Sequence, residues 1–200
     1  MNIITKTTLA LALAAGTALA APEVGQPAPA FTLTDSNGQS HNLADFKGKF
    51  VVLEWLNHGC PFVKKHYDSN NMQKLQKEYT GKDVVWLSIV SSTPGKQGHM
   101  SPAETNAAKA EKGSAATAVL LDEDGTVGKL YDAKVTPALY VINPEGNLIY
   151  AGAIDDKKSV DAADVEGATN YVKQALDEAL AGQPVSTSKT EAYGCAVKYN

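Results

Sequence analysis

Two runs, Phe50-Val51-Val52-Leu53-Glu54-Trp55-Leu56 and Val84-Val85-Trp86-Leu87-Ser88-Ile89-Val90, are almost continuously apolar. A strand buried on both faces has that pattern, whereas a half-exposed strand alternates. Both are predicted as central strands of a largely parallel sheet. Ala118-Val119-Leu120-Leu121 predicts a third strand and Phe31-Thr32-Leu33-Thr34 a short one near the start. Ala138 to Ile142 and Leu148 to Ala151 flank Asn143-Pro144-Glu145-Gly146-Asn147, the signature of a hairpin. Between these lie helical patterns. Phe62, Val63, Met72, Leu75 and Tyr79 follow the first strand, with Asp68-Ser69-Asn70-Asn71 expected to kink or interrupt the helix. Ser101-Pro102-Ala103-Glu104 is a capping box with proline in the first helical position, opening a helix that ends near Gly113. A turn at Asp122-Glu123-Asp124-Gly125 leads into a short helix through Tyr131, Val135-Thr136-Pro137 interrupts, and Val165 to Leu180 reads as a closing amphipathic helix. Strands alternating with helices, then a hairpin and a last helix, predict an α/β fold with a central mixed β-sheet flanked by helices.

The ends of the chain depart from this pattern. Residues 1–20 carry Lys6, an apolar stretch from Leu9 to Ala15, and Ala18-Leu19-Ala20 before Ala21-Pro22, the layout of a signal peptide cleaved after Ala20. The stretch is too short to span a bilayer, so the expected product is exported, periplasmic and free of the membrane once cleaved. Residues 21–181 are expected to form one domain, and the polar residues 182–200 a tail that must dock somewhere. Cleavage removes one lysine and no acid, which moves the formal charge from -4 to -5. That balance argues against nucleic acid as a partner.

Two cysteines remain, Cys60 and Cys195. Cys60 stands where the first apolar strand gives way to Pro61-Phe62-Val63-Lys64-Lys65-His66-Tyr67, so its thiol occupies a strand-to-helix junction. Unpaired amides and the positive end of a helix favour an anion there, which lowers a cysteine pKa. The sequence holds no arginine, so every cationic role falls to lysine or histidine.

The chain resembles the thioredoxin superfamily, specifically the exported redoxins grouped with the alkyl hydroperoxide reductase/thiol-specific antioxidant proteins and the TlpA-like thiol-disulfide proteins. The likeness is sharpest at Phe46-Lys47-Gly48-Lys49, Asn57-His58-Gly59-Cys60-Pro61 with the helix that follows, Val135-Thr136-Pro137-Ala138, and the hairpin with Asn143-Pro144-Glu145-Gly146. It implies a thioredoxin-like fold, a cis proline at Thr136-Pro137 on the wall opposite Cys60, and a proton-handling role for Glu54. Desolvation in the strand should raise the Glu54 pKa, while a carboxylate bonded to a lysine at a strand edge is the plainer reading. Asn57, His58 and Pro61 would tune the site.

Departures from the family pattern limit the reaction. The position of a second thioredoxin cysteine holds Val63, and the proline and hydroxyl residue of a peroxiredoxin site are replaced by Leu53 and Asn57. Cys195 is then the expected resolving thiol, and the thirteen residues from Gly182 to Cys195 reach about 43 Å when extended. The expected activity is thiol-dependent oxidoreduction with a thiol or disulfide protein as partner, or with a hydroperoxide, and no cofactor. A static Cys60–Cys195 staple is one alternative. A copper or zinc carrier using Cys60 with His58 or His66 is another, with His99 a further candidate ligand. His66 otherwise reads as a solvated ring beside lysines, the acids from Asp155 to Asp164 as a solvated connection, and Trp55 as a core residue near enough to Cys60 to report its oxidation state.

Overall fold

The computed structural model describes residues 21–200, so the expected signal peptide of residues 1–20 lies outside the described residues. The first apolar run forms strand β3 (Val51–Trp55), preceded by the hairpin β1 (Thr32–Asp35) and β2 (Ser40–Asn42). After Cys60 come α1 (Pro61–Asp68) and α2 (Asn71–Thr80), then β4 (Val85–Val90), α3 (Pro102–Glu111), β5 (Ala118–Leu121) and α4 (Thr126–Leu130). The chain continues through β6 (Val135–Thr136), β7 (Ala138–Ile142), β8 (Leu148–Gly152), α5 (Tyr171–Leu180) and β9 (Cys195–Ala196). Seven strands make one sheet in the order β2-β1-β5-β4-β3-β7-β8, in which the β3–β4 and β4–β5 pairs are parallel and every other neighbouring pair is antiparallel.

The unbroken apolar character of β3 follows from its central place. Alternate residues serve opposite faces, so Val52 packs with Leu56, Cys60, Val63, Tyr67 and Trp86, while Val51, Leu53 and Trp55 pack with Leu87, Ile89 and Tyr131. Each fully buried Val or Leu contributes roughly 1.5–3 kcal/mol. The helix break expected at 68–71 is present, with Asn70 in the left-handed conformation (φ 60°) between α1 and α2. The capping box at Ser101 and Glu104 has both reciprocal hydrogen bonds.

Three expectations are corrected and one strand is added. The closing helix begins at Tyr171 rather than at Val165, because Gly167 takes a positive φ of 83° and the Asn170 side chain caps α5 on the amide of Lys173. β2 was not foreseen, since three residues are too few to show a period. Val135 and Thr136 form a short strand rather than a simple interruption, because Cys195 and Ala196 pair with them. Asp155 is not solvated: it is buried beneath the tail. Among the described residues no helix is long and apolar enough to cross a membrane.

Candidate active site: two thiols at a helix N-terminus

Asn57 builds the turn that delivers Cys60. Its side-chain oxygen accepts from the Gly59 amide at 2.8 Å, its carbonyl accepts from the Cys60 amide at 3.0 Å, and its Nδ2 donates to the Gln97 carbonyl at 3.3 Å. The Asn57 carboxamide is therefore committed to the turn and the neighbouring loop. Cys60 is the N-cap of α1 and Pro61 its first residue, with fixed φ and no amide to satisfy.

The Cys60 side chain is fully buried, and its thiol donates to the Thr136 carbonyl at 3.2 Å. The Thr136-Pro137 bond is cis, as the resemblance implied. Opposite Thr136 in the β6–β9 ladder stands Cys195, unbonded and in contact with Cys60. Burial alone would raise the Cys60 pKa, but the Cys195 thiol, the amides of Val63 and Cys195, and the Thr136 hydroxyl favour the thiolate and leave it lowered. Cys195 moves the other way, raised by burial and by the Cys60 sulfur beside it. The pair is thus polarised, with the anion on the helix cap and the proton on the tail.

Glu54 is completely buried on the same side of the sheet as Cys60. Its carboxylate accepts from Trp86 Nε1 at 2.8 Å, Ser88 Oγ and Tyr67 Oη at 2.9 Å each, and Gln76 Nε2 at 3.0 Å. Burial nevertheless raises its pKa, with these four bonds pulling the other way. Among the described residues no lysine reaches it, so the strand-edge ion pair does not form, and its hydrogen-bond partners there do not include Cys60.

The histidines do not assemble with Cys60. His58 packs edge-on against Tyr67 at 4.9 Å, and burial first, then Lys112, depresses its pKa to about 4. His66 is buried rather than solvated; its Nδ1 faces Asn71 Nδ2 at 2.9 Å and its Nε2 lies 3.9 Å from Asp155 Oδ2. His99 pairs with Glu123 at 3.2 Å. Among the described residues no three His, Cys, Asp or Glu side chains are placed to hold a metal, so the donor set His58, Cys60 and His66 is not brought together. Trp55 points to the opposite face, donating to Ser91 Oγ at 3.0 Å, and it is Trp86 that shares the cluster of Cys60.

A second polar group escaped sequence reasoning. Lys65 Nζ is buried, donates to the Lys157 carbonyl at 2.7 Å and lies 3.5 Å from Asp155 Oδ2. Tyr193, two residues before Cys195, donates its phenol to Asp155 and meets Phe62 edge-on at 5.7 Å. Lys64-Lys65-His66 reads as a polar surface run, and only the spacing of Lys65 from Phe62, one helical turn, hinted that it faces inward.

The family model described as AhpC/TSA family matches residues 24–151. The thiol-disulfide oxidoreductase ResA of Bacillus subtilis (strain 168) is 30% identical over 125 residues, 62% of this chain and 64% of that protein. The match therefore spans less than two thirds of that relative. An uncharacterized conserved protein from Geobacillus kaustophilus superposes with a TM-score of 0.76 at 28% identity, covering 89% of this chain and 93% of the other. A hypothetical protein from Sinorhizobium meliloti 1021 gives 0.76 at 24% identity over 90% and 97%, which supports the fold alone. A thioredoxin domain from Bacteroides vulgatus, at 0.51 and 22% over 72% and 96%, likewise shares the fold.

Proposed function

From the premise that this chain belongs to the AhpC/TSA family of thioredoxin-fold proteins, we propose that it is an exported, periplasmic thiol-disulfide oxidoreductase with Cys60 as attacking thiolate and Cys195 as resolving thiol. The observation that carries this reading is the contact of the two thiols at the N-terminus of α1, with Cys60 favoured as the anion. The export reading rests on the pattern of residues 1–20.

In the proposed cycle the Cys60 thiolate attacks one sulfur of a partner disulfide. A Cys60–partner bond forms, the partner disulfide breaks, and its second sulfur leaves as a thiolate that takes a proton from water. Cys195 then attacks the Cys60 sulfur, closing Cys60–Cys195 and releasing the partner's other thiol, which receives the Cys195 proton. Two thiols of this chain are oxidised and one partner disulfide is reduced. The reverse sequence oxidises a partner dithiol. Glu54, buried on the same side of the sheet with its pKa raised and held by four donors, is the group that handles protons for the thiols in this reading.

Disulfide exchange is favoured over hydroperoxide reduction by what surrounds the sulfur. Fast peroxide chemistry wants donors on the leaving oxygen. Here the Asn57 carboxamide is occupied by Gly59 and Gln97, and the buried cation Lys65 is held by Lys157 and Asp155.

The test is to mix the reduced mature chain separately with oxidised glutathione and with hydrogen peroxide, quench in acid, and map the cysteines by mass. A reducible Cys60–Cys195 bond, replaced by a stable Cys60–glutathione adduct in Cys195→Ser, is the expected result. A bond that resists cellular thiols marks a static staple and overturns the reading. A faster reaction with peroxide than with glutathione disulfide moves the assignment to hydroperoxide reduction.

A further inference from the structure

Val135 and Thr136 form a sheet edge beside a nucleophilic sulfur, and the strand that fills this edge is the chain's own. Among the described residues β6 and β9 pair only with each other, Val135 opposite Ala196 and Thr136 opposite Cys195. A polypeptide that adds to an open edge makes the same main-chain bonds. For disulfide exchange with a protein, an extended segment must bring its cysteine sulfur to Cys60, and Cys195 already occupies that place.

The fit is close enough to specify residues. Gly194 has φ 149°, and a Cβ added there would overlap the Thr136 carbonyl. The segment is held along its whole length. Tyr193 is tied to Asp155, the Val197 amide donates to the Lys134 carbonyl at 2.9 Å, and the Lys198 carbonyl accepts from the Thr93 amide at 3.0 Å. Tyr199 donates to the Ala133 carbonyl at 2.7 Å and lays its ring over Gly125 and Gly128. With this strap in place Cys60 has no exposed surface.

We propose that residues 193–199 are a captive strand filling the docking edge for a polypeptide partner, so that a partner's cysteine-bearing segment and Cys195 compete for Thr136. This rests on Cys60 being the attacking thiolate. The partner segment is extended and carries glycine immediately before its cysteine, because that residue must lie where Gly194 lies. Cys60 attacks it only with the strap displaced, and the mixed disulfide is resolved only when the strap returns.

The probe is a heptapeptide with the sequence of residues 193–199, its cysteine activated as the mixed disulfide with thionitrobenzoate. Attack by Cys60 forms the Cys60–peptide disulfide, breaks the activated bond and releases the coloured thiolate. The chain is Cys195→Ser, alone and combined with Gly194→Ala or with Tyr199→Ala, which loosen the strap at two separate points and leave the residues of β6 unchanged. Strap loosening shifts a local opening equilibrium and is expected to accelerate the peptide reaction about tenfold, and to change alkylation by the much smaller iodoacetamide less. A peptide carrying Gly194→Val is expected to lose that acceleration. Equal peptide rates on the intact and both loosened chains, or equal rates for the two peptides, would overturn the proposal. If Cys60 reacts with neither reagent faster than a free thiol, the redox assignment itself fails, a separate result from loss of the strap effect.

Discussion

The phenol of Tyr193 donates to the carboxylate of Asp155, and Asp155 lies against Lys65 and His66 of α1. One buried carboxylate therefore joins the segment that carries Cys195 to the helix capped by Cys60. Removing one member of a buried polar group leaves the others unpaired, which costs more than the bond itself contributed. Tyr193→Phe should lower folding stability by about 1–3 kcal/mol and slow closure of the Cys60–Cys195 bond. Urea titration and acid-quenched oxidation read the two effects, and an unchanged closure rate would remove the positioning role.

The two thiols should titrate far apart. Cys60 is lowered and Cys195 raised, so the reduced pair should give up its first proton below the ordinary thiol value of about 8.5 and its second well above it. Ultraviolet thiolate absorbance against pH is the measurement. A single two-proton step near the ordinary value would contradict the polarised arrangement.

Glu54 makes stability depend on pH in a direction that can be worked out. Burial raises its pKa in the folded chain, so folded protein keeps a proton that unfolded protein has released. Stability should fall as pH rises from the usual glutamate range, about 4.3, to the folded value. Glu54→Gln should flatten that decline, and should also cost about 1–3 kcal/mol because its amide cannot accept all four donors. Urea midpoints across pH for both chains decide it; parallel curves would mean that Glu54 is ionised throughout.

His66 works in the opposite sense. Burial, then the field of Lys65, depresses its pKa from 6.5 to about 4 against the pull of Asp155. Unfolded chains bind the proton first, so folding should weaken as pH falls from 6.5 toward 4. The difference between wild type and His66→Gln isolates this contribution from that of Glu54. A difference that does not change with pH would place His66 at its ordinary value.

How much of this was readable before folding depended on how local each signal was. The Cys60 junction was legible because strand, turn and Pro61 are consecutive, and the thioredoxin-like sheet was legible because β3 and β4 are apolar runs. Residues 182–200 offered no such pattern. Their position depends on scattered distant contacts, among them Tyr193 to Asp155, Tyr199 to Ala133 and the pairing of Cys195 with Thr136, which leave no period in the sequence. Asp155 misled because it heads a string of acids, and burial beneath Tyr193 is a tertiary fact. His66 misled for the same reason, its lysine neighbours suggesting water where the fold places Asp155.

The interruption at Asn70 decides what can surround Glu54. Tyr67 in α1 and Gln76 in α2 both donate to that carboxylate. At 3.6 residues per turn, positions nine apart in one continuous helix would face about 180° away from each other. A straight rod from 61 to 80 would thus offer the acid one of these donors and turn the other to solvent. Two poor helix formers in succession, Ser69 and Asn70, let both converge, so a local weakness in propensity is what completes the cage around the buried carboxyl group.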